Sequence, residues 1–104
     1  MPDSYHIILT REALSDLEEI ADYIRVESPQ AAALVAEKIL DAIDSVASMP
    51  ERFKRVGKSQ KRGSPVHAMI VRPFIVYYRI EQSSRALHIL TVTHGASRQP
   101  RHFA

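Results

Sequence analysis

The chain has 104 residues, no cysteine, a hydrophobic fraction of 45% and a charged fraction of 25%. This composition is that of one globular domain, and it excludes a disulfide scaffold and a thiolate metal site. The net charge of +2 hides an asymmetry: residues 1–50 hold ten acidic and three basic side chains, whereas residues 51–104 hold two acidic and eleven basic ones. The basic half favours a polyanion or an acidic protein surface as partner, and the competing interpretation is two solvated faces.

The N-terminus and the apolar segments bear on location. The first residues lack a basic region followed by an apolar one, so no signal peptide is expected. No apolar run approaches membrane-spanning length. We therefore expect a soluble, cytoplasmic protein without a membrane partner.

The first half of the chain has the pattern of one strand followed by two helices. Residues 4–9 alternate as a short strand, and Thr10 suits the N-cap of a helix. Apolar residues recur at helical spacing up to the Ser28–Pro29 break, and again beyond it. The short break predicts an antiparallel helical hairpin over about residues 11–47.

The second half of the chain has the pattern of a loop followed by strands. Residues 51–65 are basic and contain two glycines, which predicts a loop. Strands are expected over residues 66–71, 74–80 and 86–93, and their short turns make residues 66–94 an antiparallel meander. A polar tail, residues 95–104, follows.

The order β-α-α-β-β-β predicts a single α+β domain spanning residues 1–104. We expect an antiparallel sheet with the helical hairpin packed on one face and the first strand at or near an edge. The other face of the sheet would stay partly open. There we expect the basic loop, Arg79 and the end of the last strand to converge.

Three blocks of residues carry a resemblance to a known family. The blocks are YHIILTREALSDLEEIADYI at 5–24 with Ser28-Pro29 and Ala31-Ala32, RPFIVYYR at 72–79, and VTHG at 92–95 with Arg98-Gln99-Pro100. In this order and spacing they resemble the RelE/ParE superfamily of type II toxin–antitoxin toxins, also called plasmid-stabilisation proteins. The long helical hairpin and the His-Gly element are most similar to the ParE branch.

The resemblance implies a growth-inhibiting toxin that a cognate antitoxin neutralises with an extended or helical segment, in pairs or in a higher-order assembly. For the ParE branch it implies DNA gyrase as the target, bound without catalysis or a cofactor. The RelE branch gives an alternative, cleavage of mRNA on the ribosome. A degenerate toxin that only binds its antitoxin is a third interpretation.

The basic residues are the candidates for target binding. They comprise the cations of the basic loop, the later strands and the tail: Lys54, Arg55, Lys58, Lys61, Arg62, Arg72, Arg79 and Arg98. Six basic residues in the eleven positions from Arg52 to Arg62 repel one another unless a partner neutralises them.

A nuclease would need an acid, a base and cations on the scissile phosphate. The candidates are Arg79, Arg62 and His94, since histidine is a residue type that can serve as acid or base. The acid–base set is thin, because Glu51 is the only acid near the basic loop and His94 has a structural alternative at the end of the sheet. We therefore favour binding over catalysis. His67 and His88 are too few for a zinc site, so no metal is expected.

Overall fold

The computed structural model describes residues 4–58 and 64–95. These residues form β1 (His6–Leu9), α1 (Arg11–Arg25), α2 (Pro29–Val46), a short 3₁₀ helix (Pro50–Arg52), β2 (Arg55–Lys58), β3 (Pro65–Val71), β4 (Phe74–Glu81) and β5 (Ala86–His94). The strands make one sheet in the order β1-β5-β4-β3-β2. The α+β class, the helical hairpin and the antiparallel β3–β4–β5 meander are as predicted. No helix among these residues is long and apolar enough to cross a membrane.

Both helices begin at side-chain caps, at Thr10 as the sequence predicts and at Ser28 in the predicted break. The Thr10 hydroxyl accepts a hydrogen bond from the Ala13 amide at 3.2 Å, and the Ser28 hydroxyl accepts one from the Ala31 amide at 3.1 Å. Each cap satisfies an amide that has no partner within its own helix. Pro29 occupies the first turn of α2, where its missing N–H costs nothing.

The direction of β1 corrects the expectation of a purely antiparallel sheet. β1 lies at the sheet edge, as expected, but it pairs in parallel with β5, with Ile8 opposite His88. Parallel neighbours require a long crossover connection. The helical hairpin and the meander between β1 and β5 supply that connection, so β5 returns in the direction of β1.

The basic segment 51–65 also differs from the predicted loop. It contains the end of the 3₁₀ helix and the edge strand β2, which is antiparallel to β3 with a register shift between Arg55 and Gly57. Val56 packs against a cluster of buried residues on the sheet. This tertiary contact orders a segment whose charges suggest a loop, and basic side chains are common on edge strands.

The sheet has two faces of different character. On the helix-covered face, α1 and α2 bury the main core, which includes Ile39, Ile43, Val76, Tyr78 and Ile89. Side chains alternate along a strand, so Ile75, Tyr77 and Arg79 of β4 point to the opposite, helix-free face. That face is not uniformly open, because a second cluster of Val66, Tyr77 and Leu90 is almost fully buried there.

Asp16 of α1 completes the edge of β5 beyond the end of β1. The last β1 pair joins Leu9 to Ile89. Further along β5, Asp16 Oδ2 accepts hydrogen bonds from the Val92 amide at 2.9 Å and from the Thr91 hydroxyl at 2.5 Å. A helical carboxylate thus replaces the missing strand and fixes α1 on the sheet.

Candidate functional site

The structure does not bring together Arg79 and His94, two of the residues that the sequence offers for a nuclease. Arg79 lies opposite His88, whereas Phe74 lies opposite His94, so the two candidates are five positions apart along the strand pair. At about 3.4 Å per residue, this separation is about 17 Å. The His94 ring contacts the core residue Phe74 edge-on at 5.8 Å between centroids, on the helix-covered side. One phosphate cannot contact both residues.

The described basic residues are likewise spread over several places. On β2, Arg55 lies opposite His67 and Lys58 lies opposite Pro65. These two β3 residues flank Val66, whose side chain is on the helix-free face, so their own side chains point to the other face. Both cations therefore lean toward the helix-covered side of the sheet edge, where Arg55 Nη2 is 3.9 Å from Glu51 Oε1.

The remaining candidates for target binding lie elsewhere. Arg72 is in the β3–β4 turn, where its carbonyl accepts a hydrogen bond from Lys38 Nζ at 3.0 Å. Lys54 precedes β2, and its carbonyl accepts a bond from the Ala68 amide at 2.9 Å. The predicted residues Lys61, Arg62 and Arg98 lie outside the described residues.

Three ionisable residues lie close together on the helix-free face. We call them the Arg79 cluster: Arg79, Glu81 and His88. His88 and Arg79 are directly opposite on β5 and β4, and Glu81 Oε1 is 2.8 Å from His88 Nε2. The hydrogen bond from His88 lowers the pKa of Glu81, and the charge of Arg79 contributes to a smaller extent. The Nε atom of Arg79 is buried and has no hydrogen-bond partner among the described residues, 4–58 and 64–95.

The Arg79 cluster can hold an anion or exchange a proton. Because the ionised Glu81 carboxylate only accepts hydrogen bonds, it selects the histidine form with a proton on Nε2. In the neutral form of His88, the Nδ1 atom would then be free to accept a proton, on the residue directly opposite Arg79. Of these three residues, the sequence predicts only Arg79 as a site residue. The short turn between Glu81 and Ala86 is the signal that could have paired Glu81 with His88.

The other strand histidine, His67, is part of the core. Its ring stacks on Tyr78 at 5.2 Å, and its Nδ1 is 2.8 Å from the Phe53 carbonyl oxygen. The Tyr78 hydroxyl donates to the Pro50 carbonyl at 2.6 Å, and burial raises the pKa of Tyr78 to about 12. These contacts hold the 3₁₀ segment against β3 and β4. Within residues 4–58 and 64–95, no group of three or more histidine or carboxylate side chains is placed to bind a metal.

An apolar groove lies at the opposite end of the sheet from the Arg79 cluster. It has a volume of about 530 Å³ between α1, α2 and the β3–β4 turn, and its walls include Ile20, Tyr23, Val35, Phe74 and His94. Tyr23 is 80% exposed at its rim. The sequence predicts no site here, because helical periodicity shows which side of a helix is apolar but not which part of it lines a groove.

Comparison with known proteins places this architecture in a family. Residues 7–98 match the family described as ParE toxin of type II toxin–antitoxin system, parDE. Over 91 residues the chain is 40% identical to a putative toxin, Y4kP, of Sinorhizobium fredii, covering 88% of each protein. It is 31% identical over 90 residues to toxin RelE2 of Caulobacter vibrioides, covering 86% of this chain and 94% of the relative.

The fold agrees with these sequence matches. A solved structure of a chromosomal ParDE system from P. aeruginosa superposes with a TM-score of 0.68 at 18% identity, covering 88% of this chain and 97% of the other. The chain belongs to the ParE toxin family of type II toxin–antitoxin systems, within the RelE/ParE superfamily.

Proposed function

We propose that this toxin acts in the cytoplasm by binding DNA gyrase, without catalysis, and that a cognate antitoxin neutralises it. The observation that supports binding over cleavage is the separation of Arg79 from His94 along β4 and β5. Cleavage of RNA through its 2′-hydroxyl requires the acid, the base and the phosphate-binding cations around one phosphate. The ParE family match supports gyrase as the target, since the resemblance of the sequence to the ParE branch implies it.

The two-signed charge distribution fits a toxin that is covered by protein partners. Most acidic residues of the first half lie on α1 and α2, whereas the described basic residues of the second half lie on the strands and in the segments that connect them. Charge complementarity of this kind speeds encounter and selects the partner more than it adds affinity. An antitoxin and a target can therefore approach different surfaces of the same small domain.

One observation favours ribosome-dependent mRNA cleavage as the second candidate. The Arg79 cluster places a histidine, the carboxylate that orients it and a cation on one face. If the toxin is a nuclease, His88 rather than His94 is the acid or base that lies beside Arg79. This gives the two candidate functions different critical histidines.

The test compares His94→Gln and His88→Gln with the wild type. Each glutamine keeps a polar group but removes the titratable ring. We expect all three proteins to inhibit growth and the supercoiling activity of purified gyrase equally, and none to cut ribosome-bound mRNA. A nuclease would lose on the order of 10²–10⁴ in rate when its general acid or base is removed.

Equal amounts of soluble, folded protein are the control for this comparison. Transcript ends mapped on ribosome-bound mRNA give the contradicting result: cuts made by the wild type that disappear in His88→Gln or His94→Gln. Such cuts would replace the gyrase proposal with the nuclease. Growth inhibition without either activity would point to a different target.

A further inference from the structure

On the helix-free face, the side chain of Arg79 has a hydrogen-bond donor that is not satisfied by the described residues. Its Nε atom is buried without a partner, and none of the hydrogen bonds or ion pairs within residues 4–58 and 64–95 involves its side chain. A guanidinium carries five N–H donors, and a buried donor without a partner destabilises the folded state. Native structures contain few such groups, so each one calls for a physical reason.

Arg79 lies between an apolar neighbour and a polar one. In the row across the sheet its neighbours are Val66 on one side and His88 on the other, with Ile8 beyond His88. Val66 is fully buried, whereas Ile8 is 42% exposed. A guanidinium that is partly covered by a buried side chain such as Val66 forms a stronger pair with an anion than one in open solvent, because water competes less for the charge.

We propose that Arg79 binds a carboxylate of a linear protein segment, an aspartate or glutamate flanked by apolar residues, which lies across the helix-free face. The apolar flanks would cover Ile8 and the other exposed side chains of this face, and the carboxylate would pair with the Arg79 guanidinium. The inference rests on the proposed function only in taking the partner of the toxin to be a protein.

A carboxylate fits this surface better than a nucleic acid. Binding to a nucleic-acid backbone uses several cations spaced along it. Among the described residues, Arg55 and Lys58 lean toward the other face, so the helix-free face does not offer a row of cations for a nucleic-acid backbone. One arginine next to a buried apolar side chain matches the buried anchor of a protein interface, where arginine is enriched.

The free protein and the complex should respond oppositely to Arg79→Met. Methionine keeps most of the side-chain volume and removes the unpaired donor, so the isolated toxin should gain a few degrees in Tm. Binding of the carboxylate segment should weaken at least about tenfold, because the anion loses its hydrogen-bonded cation. A purely structural arginine would give the reverse, a lower Tm.

The experiment selects binders from a random peptide library displayed on phage, using the immobilised wild-type toxin. The selected peptides are then measured by fluorescence polarisation against the wild type, Arg79→Met, Arg79→Lys and the control Arg11→Met. Arg11 is exposed at the start of α1, away from the helix-free face. We expect a class of peptides with one acidic residue between apolar ones, lost in Arg79→Met, weakened in Arg79→Lys and unchanged in Arg11→Met.

Several results would overturn the inference. They are a selection that yields no such class, acidic peptides that bind Arg79→Met as tightly as the wild type, or a lower Tm for Arg79→Met. A short single-stranded RNA that binds with the same dependence on Arg79 would assign the site to a phosphate instead. Gyrase inhibition is measured separately, so a failure here is distinguishable from a failure of the proposed target.

Discussion

The two faces of the sheet differ in whether their buried polar groups are hydrogen-bonded. On the helix-covered face, the Tyr78 hydroxyl and the His67 ring each contact a backbone carbonyl, of Pro50 and Phe53. On the helix-free face, the Nε donor of Arg79 has no hydrogen-bond partner within the described part of the chain. A buried polar group that is hydrogen-bonded costs little free energy of folding and holds the chain in one arrangement. A buried donor without a partner destabilises the folded protein, and binding of a partner can offset that cost. We therefore expect the helix-covered face to stabilise the fold and the helix-free face to bind a partner protein.

The largest expected effect comes from matched truncations of the two hydrophobic clusters. Ile43 in the main core and Leu90 on the helix-free face are 1% and 2% exposed. Ile43→Ala should cost about 3–5 kcal/mol in the free energy of unfolding, near the upper end of the range for such changes. Leu90→Ala should cost about 2–3 kcal/mol, because a small cluster relaxes more readily around a cavity.

Urea unfolding of the two variants measures this difference, with the slope of the transition compared to confirm that each unfolds in two states. If Leu90→Ala were as costly as Ile43→Ala or more so, the two faces would contribute equally to stability. The assignment of the helix-free face to recognition would then lose its energetic basis.

The sequence predicted those parts of the fold that depend on interactions between residues close together in the chain, such as the starts of the helices. Thr10 and Ser28 cap the helices because their hydroxyls bond amides three residues away. The direction of β1 depends on β5, about 80 positions later in the chain, and no local pattern encodes it. The strand β2 was missed for a similar reason, since Val56 becomes ordered only by packing on a distant cluster.

The candidate site was predicted less completely than the fold. The sequence identified Arg79 as a basic residue but placed it near His94, because composition alone does not give strand register. The observed register sets Arg79 opposite His88. A register shift at Tyr77/Tyr78 further changes which β5 residues share a face with β4, and such a bulge has no strong sequence signature here.

The second prediction concerns Tyr78, the satisfied hydroxyl of the helix-covered face. Tyr78→Phe removes the donor to the Pro50 carbonyl and should cost about 1–3 kcal/mol in the free energy of unfolding at neutral pH. Burial raises the pKa of Tyr78 to about 12 from 10.0, so the unfolded chain releases this proton first. The wild type should therefore lose stability as pH rises from about 10 to about 12.

Thermal unfolding between pH 7 and 11.5 tests the second prediction. Since other groups also titrate in this range, the informative quantity is the difference between the wild type and Tyr78→Phe. That difference should shrink as the pH rises, because phenylalanine has no proton to lose. A difference that stays constant would mean that the Tyr78 hydroxyl titrates normally in the folded protein.

The smallest expected effect belongs to the hydrogen-bonded pair of the helix-free face, Glu81 with His88. The hydrogen bond from His88 lowers the pKa of Glu81 from 4.5, so this carboxylate stabilises the folded state above its unfolded pKa, and the contribution is lost as pH falls through the folded pKa. Glu81→Gln should therefore lower the Tm slightly at neutral pH, and the difference from the wild type should vanish well below pH 4.5. Because both side chains are partly exposed, solvent screens the pair and its coupling is weak. A double-mutant cycle with His88→Gln measures that coupling directly, and it should be favourable at neutral pH and absent in acid.

Coupling that persists unchanged into acid would show that the pair does not depend on the Glu81 charge. A coupling as large as the cost of Tyr78→Phe would make the helix-free face a stabilising surface in its own right, contrary to the division between the two faces.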